Sequence, residues 1–168
     1  MKKFLALAAI GLAAVSNAQW STPTNLGVRI GWVYPIDSGL RDVAPTYLGA
    51  GVDYYPDFQL LKGNGETYLS FDWIGKSGSG AKGNLFPILL NHKFYGTQTD
   101  KNQPRSYFSL GAGVAIVDVT STNTVLAAKV GVGRELNENL FLEGNLFYTD
   151  SSAGVHGTSL GFYLGYRF

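Results

Sequence analysis

An alternation of apolar and polar residues with a period of two runs through most of this sequence. In the final ten residues, "SLGFYLGYRF", an apolar side chain occupies every second position from Leu160 to Phe168. The same alternation recurs in eight segments, at residues 25–34, 47–55, 67–74, 85–95, 106–117, 124–135, 140–149 and 159–168. Successive side chains of a β-strand point to opposite faces, so the sequence predicts eight strands, each with one apolar face.

These segments suit strands that cross a bilayer. They span eight to twelve residues, close to the roughly 9–11 of a tilted transmembrane strand and longer than the five or six usual in soluble sheets. Joined in order as hairpins, they predict an all-β fold, an eight-stranded antiparallel up-and-down transmembrane β-barrel. Only residues 85–90 are apolar on both faces, and they include Pro87, so we expect a bulge or an edge-like irregularity there.

The first residues have a different character from the rest of the chain. Two lysines precede an apolar run over residues 4–15, and small residues follow up to Ala18. This pattern predicts a cleavable signal peptide at 1–18, too short to span a membrane as a helix. The remainder, 19–168, shows no internal boundary and is predicted to form one outer-membrane barrel domain.

Composition argues against several classes of function. The chain has no cysteine, so neither disulfides nor thiolate metal sites are expected. Its net charge of +1 provides no electrostatic basis for binding nucleic acid. The glycine-rich stretches lack the lysine and the following helix of a phosphate-binding loop, and His92 has no evident partners for a metal. We therefore expect no cofactor.

Alternation alone does not decide which face is buried. A soluble barrel points its apolar face inward, whereas a membrane barrel points it outward around a polar interior. Here the less apolar face carries many glycines and single charges, which favours a narrow lumen filled by paired side chains. We expect Glu143 to be the first partner of Arg29 and Arg167. The predicted lumen charges are Arg29, Asp53, Asp72, Lys129, Glu143 and Arg167.

Aromatic residues gather near the ends of the predicted strands, while the strand centres carry aliphatic residues. Two aromatic girdles around an aliphatic band are typical of a bilayer-spanning barrel, because amphipathic rings prefer the interface. One predicted girdle comprises Trp32, Tyr34, Trp73 and Tyr148, and the other comprises Tyr54, Phe94, Phe108, Tyr166 and Phe168.

Four stretches resemble the small outer-membrane β-barrel proteins of the OmpA/OmpX-like, porin-like kind. They are "LGFYLGYRF" at the end, "YFSLGAGVAIV" at 107–117, "FPILLNHKFYG" at 86–96 and "GVGRELNENLFLEGNLFY" at 131–148. The resemblance implies a location in the bacterial outer membrane, with its lipid and the barrel-assembly machinery as partners. It also implies that an alternating C-terminal pattern acts as the assembly signal, carried here by Leu160, Phe162, Leu164, Tyr166 and Phe168. Tyr163 departs from the glycine that some members have.

The function expected from these features is a structural or envelope-interaction role for a monomeric barrel that is not an enzyme. Alternatives are a narrow pore for ions or small solutes, and a soluble periplasmic barrel that binds an apolar ligand. A lipid A-modifying enzyme is a further alternative, with Ser159 as nucleophile, His156 as base and Asp150 as orienting acid. Extracellular loops are expected at 35–45, 75–83, 118–123 and 149–157, and periplasmic connections at 56–66, 96–105 and 137–139.

Overall fold

The computed structural model describes residues 25–76, 83–96, 104–118, 122–151 and 156–168; the predicted signal peptide lies outside these ranges. The described residues form eight strands and one short helix, α1, at Ser38–Val43. The strands are β1 Leu26–Pro35, β2 Tyr47–Tyr54, β3 Gly65–Gly75, β4 Asn84–Tyr95, β5 Arg105–Asp118, β6 Thr122–Glu135, β7 Leu140–Thr149 and β8 Ser159–Arg167. Within these ranges no helix has the length and apolar character that a membrane span requires.

The strands close into a barrel in sequence order. Every neighbouring pair is antiparallel, and β1 pairs with β8 to complete the ring, with Gly27 opposite Arg167 and Trp32 opposite Phe162. Closure leaves no strand edge unpaired. The predicted eight-stranded antiparallel up-and-down barrel is confirmed.

Of the two irregularities predicted around Pro87 in β4, a bulge does not form, whereas a local interruption of strand pairing does. Pairing with β3 is interrupted opposite Pro87, yet Phe71 still faces Ile88 and Ile74 still faces Leu85, so the register does not shift. On the other side, β4 pairs with β5 continuously and includes the pair Pro87 and Ala115. The missing N–H of proline therefore opens the ladder locally, while the intact β4–β5 ladder holds the register.

Side chains alternate between the outside and the lumen along every strand. In β1 the alternation between exposed and buried residues is perfect, with Val28, Ile30 and Trp32 exposed and Arg29 and Val33 buried. The eight strands thus surround the lumen with one side-chain set and cover the outer wall with the other, which is almost entirely apolar.

The connection between β1 and β2 is helical where only a loop is predicted. Asp37 caps α1 by accepting a hydrogen bond from the backbone N–H of Gly39 at 2.9 Å. Leu40 is buried, and its carbonyl accepts a 2.7 Å hydrogen bond from the hydroxyl of Tyr47. We call the end of the barrel that carries α1 the capped end. The opposite end, where β1 begins and β8 ends, is called the terminal end.

One half of the lumen is apolar and the other is polar, whereas the sequence predicts a polar interior. The apolar half lies towards the capped end, where the double-sided apolar stretch of β4 contributes Leu85 and Leu89. Its buried members are Val33, Leu40, Ala44, Tyr47, Ile74, Leu85, Leu89, Ala115, Val117, Ala127, Phe147 and Tyr163. Charged side chains occupy the middle of the lumen and the terminal end.

Candidate functional site

Arg29 stands at the centre of the polar half of the lumen. Its guanidinium binds the carboxylate of Asp72 through two nitrogens, with distances of 2.8 Å to both oxygens from Nη2 and 3.1 Å from Nε. Nη1 lies 3.2 Å from Oδ1 of Asp53 and 3.6 Å from Oε1 of Glu143. Three carboxylates on strands β2, β3 and β7 thus converge on one planar cation, whose fork of N–H donors suits such convergence.

A second cation offsets part of the excess negative charge. Nζ of Lys129 lies 3.5 Å from Oε1 of Glu143 and donates a hydrogen bond to the hydroxyl of Tyr68 at 3.2 Å. Glu143 also accepts hydrogen bonds from the hydroxyl of Tyr107 at 3.0 Å and from the amide of Asn145 at 3.1 Å. This central cluster, Arg29, Asp53, Asp72, Lys129 and Glu143, contains two cations and three anions.

Another ionic group closes the terminal end of the lumen. Nη1 of Arg167 lies 2.7 Å from Oε2 of Glu66, and Nη2 of Arg105 lies 2.5 Å from Oε2 of Glu135. The hydroxyl of Tyr95 lies 2.8 Å from a carboxylate oxygen of each glutamate and connects the two pairs.

The expectation that Glu143 serves Arg167 as well as Arg29 is therefore wrong for Arg167. Arg167 lies at the terminal end and pairs with Glu66 of β3 instead. Glu143 lies deeper in the lumen and contacts Arg29 and Lys129.

Lys93 joins the two groups inside a cage of aromatic rings. Its Nζ lies 4.5 Å from the ring centroid of Tyr107, 4.8 Å from that of Phe141, 5.2 Å from that of Tyr55 and 5.3 Å from that of Tyr68. The ammonium also donates to the hydroxyl of Tyr55 at 3.1 Å and lies 3.7 Å from Oε1 of Glu135. Cation–π contacts of this kind are strongest where the cation is desolvated, and the side chain of Lys93 is almost fully buried.

The ion-paired side chains of the lumen balance in charge. The terminal group, Lys93, Arg105, Arg167, Glu66 and Glu135, has three cations and two anions, so it complements the central cluster. Together the two groups hold five cations and five anions. Buried charges are tolerated when they are paired and hydrogen-bonded. Each of these ten side chains has an oppositely charged partner within 3.7 Å, while Oδ1 of Asp53 is ion-paired but accepts no hydrogen bond.

Four charged residues of this network are absent from the predicted set: Glu66, Lys93, Arg105 and Glu135. Alternation within "GETYLSF" and "RSYFSL" places Glu66 and Arg105 on the same faces as Tyr68 and Tyr107, so a signal for those two exists in the sequence. Lys93 is hidden by the ambiguous pattern of β4, since Asn91 and His92 beside it are also polar.

Close approach of side chains across the lumen requires glycine at some positions. A Cβ atom at Gly51 would collide with the carboxylate of Asp72 and crowd the guanidinium of Arg29. A Cβ at Gly165 would overlap the ring of Phe141, a wall of the Lys93 cage. Glycine at these positions makes room for the large side chains opposite.

The predicted girdle and C-terminal residues lie on or near the outer wall. Trp32, Tyr34, Tyr54, Phe108, Tyr148 and Tyr166 are exposed, whereas Trp73, Phe94 and Phe168 are partly buried. The ring centroids of Phe94 and Phe108 are 6.2 Å apart, and those of Tyr166 and Phe168 are 5.2 Å apart. Of the C-terminal set, Leu160, Phe162, Leu164 and Tyr166 point outward.

The residues considered for catalysis make other contacts. Ser159 is buried on the lumen side of β8, and its hydroxyl lies 3.5 Å from the carbonyl of Gly157. Nδ1 of His156 lies 3.4 Å from the carbonyl of Thr149, and the carboxylate of Asp150 accepts from the N–H of Ser151.

The lumen carboxylates form ion pairs with lysine and arginine side chains and hydrogen bonds with tyrosine hydroxyls. Among the described residues, no three carboxylate or imidazole side chains are grouped as ligands for a metal ion. His92 points to the outer wall, where its Nδ1 lies 3.0 Å from the hydroxyl of Thr67.

The barrel is similar to solved structures of small bacterial outer-membrane proteins. The N-terminal β-barrel domain of Pseudomonas aeruginosa OprF aligns with a TM-score of 0.50 and 14% identity, covering 88% of this chain and 100% of that one. Ail, the attachment invasion locus protein of Yersinia pestis, aligns at 0.53 with 15% identity and the same coverage. The outer membrane enzyme PagL aligns at 0.53 with 12% identity, over 85% of this chain and 97% of its own.

No protein-family model matches the sequence, and no curated protein matches it significantly. The likeness therefore lies in the backbone and not in shared sequence. The chain has the fold of the small eight-stranded outer-membrane β-barrels.

Proposed function

We propose that this protein is an integral outer-membrane barrel with a closed lumen, and that it serves the envelope through structure and surface interaction. The observation that carries this proposal is the distribution of side chains between the two faces of the barrel wall. Large apolar residues such as Ile30, Trp32 and Phe162 are exposed around the wall, while the charged residues of the central cluster and the terminal group are turned inward and paired.

This distribution is unfavourable for a protein surrounded by water. Soluble monomers rarely expose contiguous apolar patches larger than a few hundred Å², and here the exposed apolar residues extend over all eight strands. Each large apolar side chain transferred from water to hydrocarbon contributes about 1.5–3 kcal/mol. A soluble barrel with an apolar ligand pocket requires the opposite distribution, so that alternative does not fit.

A closed lumen favours a structural role over conduction. Arg29 and Lys93 cross the interior and are held by partners on several strands, while the apolar cluster and α1 fill the capped end. A narrow pore requires a continuous path for water, and both halves of this lumen are packed with side chains. An eight-stranded barrel is just wide enough for its interior to be filled in this way.

The same geometry supports a protein without catalysis. Fold likeness to PagL does not carry its activity, because unrelated functions share small barrel folds. Ser159 is buried within the lumen and His156 contacts a backbone carbonyl, so the two do not form a nucleophile–base pair accessible to lipid. We propose no cofactor, and a monomer as the functional unit.

Orientation and biogenesis complete the proposal. The terminal end faces the periplasm and the capped end faces outward, with residues 1–18 directing export and the C-terminal pattern serving the barrel-assembly machinery. Among the described residues, the connections at the capped end include α1 and residues 156–158. These are the segments available for contacts outside the cell.

Fractionation tests the membrane assignment. The full chain expressed in a diderm bacterium is expected in the outer-membrane fraction, with gel migration that changes on boiling because a folded barrel resists detergent. Recovery in the soluble periplasmic fraction would contradict the proposal. Planar bilayers then test the lumen: purified barrel is expected to give no steady conductance, and reproducible single-channel steps would favour the pore.

A further inference from the structure

The connection between β2 and β3, residues 55–64, lies against the outer wall of the barrel. The backbone N–H of Leu60 donates to Oγ1 of Thr67 at 2.9 Å, and the amide of Gln59 donates to the carbonyl of Gly65 at 3.2 Å. Thr67 belongs to the outward set of β3, in alternation with Phe71, yet it is only 2% exposed whereas Phe71 is 49% exposed. The loop therefore folds back over the wall.

Two polar side chains lie on the wall beside this loop. The hydroxyl of Thr67 lies 3.0 Å from Nδ1 of His92, and the His92 ring packs edge-to-face on Phe94 with a centroid distance of 4.7 Å. Both Thr67 and His92 are buried, although neighbouring outward residues are not. Polar groups facing hydrocarbon require internal partners. The loop supplies one by bringing the Leu60 N–H to Thr67.

The loop exposes three large apolar side chains among polar ones that include Asp57 and Gln59. Phe58 is 53% exposed, Leu60 51% and Leu61 50%, and the cation Lys62 follows directly. The other fully described connection at the terminal end is composed differently, because it exposes a single large apolar residue, Leu136, before the polar residues 137–139. A turn that only reverses the chain in water has no need of three exposed apolar side chains.

Both ends of the loop are fastened to the barrel. The amide of Asn25 donates to Oδ1 of Asp57 at 3.3 Å, and the backbone N–H of Tyr95 donates to the carbonyl of Asn64 at 3.1 Å. Gly63, with a φ of +137°, provides the reversal that leads into β3. The loop is thus held next to the wall at Thr67, and the strands that it connects expose Tyr54 and Phe71.

We propose that residues 58–62 form an interfacial anchor that inserts into the phospholipid leaflet at the terminal end of the barrel. Phe58, Leu60 and Leu61 enter the boundary between headgroups and acyl chains, and Lys62 lies at the level of the phosphates. Apolar side chains beside a basic residue are the usual composition of segments that lie in an anionic interface. The proposal rests on the membrane assignment made above and adds a lipid contact outside the strands.

Single-cysteine labelling tests the anchor, because the natural chain has no cysteine. Phe58→Cys and Leu61→Cys are labelled with an environment-sensitive fluorophore in vesicles of phosphatidylcholine and phosphatidylglycerol. Phe71→Cys is the control within the wall, and Asn137→Cys is the control in a polar turn at the same end. Heat-modifiable migration shows that each labelled variant is folded.

The anchor predicts blue-shifted emission at positions 58 and 61, quenched several-fold more by nitroxide-labelled lipid than the label at 137. The label at 71 is expected to be quenched more strongly by nitroxides placed deeper in the acyl chain. If the labels at 58 and 61 behave like that at 137 while the label at 71 is quenched by lipid, the anchor is refuted and the membrane assignment stands. A blue shift without lipid quenching also refutes it, since it indicates protein contact. If the label at 71 is neither blue-shifted nor quenched by lipid, both the anchor and the membrane assignment are refuted.

Discussion

Arg29 and Asp72 form a two-pronged ion pair inside the barrel, with Nη2 2.8 Å from both carboxylate oxygens. The same guanidinium contacts Asp53 and Glu143, so a single side chain links strands β1, β2, β3 and β7. This convergence ties together strands that are not all neighbours in the sheet. We expect its removal to cost more than the removal of an exposed ion pair, which contributes about 0–1 kcal/mol, because the carboxylates would stay buried without their cation.

Replacement of Arg29 by methionine is expected to destabilise the barrel strongly. The variant leaves three buried carboxylates with Lys129 alone, and breaking a buried ion pair costs about 3–5 kcal/mol. Urea unfolding in vesicles measures the change. Arg41→Met, at an exposed position of α1, is the matched control and is expected to change stability by less than about 0.5 kcal/mol. Equal effects of the two substitutions would contradict a central role for Arg29.

Truncation of Lys93 is expected to leave a cavity between aromatic rings that can bind a small organic cation. Lys93→Ala removes the ammonium from its four aromatic walls and should lower the free energy of unfolding by about 2–5 kcal/mol. Because the cage retains Tyr107 and Phe141, added n-butylammonium should restore part of the loss. Unfolding is measured with and without the amine, and with sodium at equal ionic strength. No difference between amine and sodium would show that the cage does not select a cation.

Substitution at Gly51 should reveal how tightly the lumen is packed. A methyl group there collides with Asp72 and displaces its contact with Arg29, so Gly51→Ala is expected to cost about 1–3 kcal/mol, the range for overpacking a filled interior. Gly144→Ala is the comparison, since its added methyl meets no atom closer than 3.7 Å. Thermal or urea unfolding that does not distinguish the two variants would argue for a looser lumen.

An arginine placed on the outer wall is expected to destabilise the barrel more, the closer its position is to the middle of the bilayer. Ile30 lies at the centre of β1 and Leu26 at its first residue, and both are exposed. Ile30→Arg should destabilise the barrel by about 2–4 kcal/mol in bilayers, and Leu26→Arg by about 0–1 kcal/mol. Folding into vesicles at increasing urea measures both. Similar costs at the two positions, or none, would mean that the wall does not face hydrocarbon.

The sequence alone determined the strands, the barrel and the division of residues between its two faces. Observed strand bounds agree with the predicted ones to within about two residues, because a period of two is a property of the extended backbone and needs no knowledge of partners. The placement of Arg29, Lys129 and Glu143 on the less apolar face of their strands follows from the same alternation, and the structure shows that this face is the inner one. The strands and the two faces of each strand are local features, so one strand at a time suffices to infer them.

Tertiary structure decided which residues meet across the lumen. Arg167 binds Glu66, a residue 101 positions earlier in the chain, because strand tilt and barrel closure bring the end of β8 level with the start of β3. Barrel closure also forms the aromatic cage around Lys93 and the apolar half of the lumen beneath α1. It likewise decides where the β2–β3 loop lies on the outer wall. Each depends on how eight strands are staggered around one axis, and a pattern read along a single strand does not record that stagger.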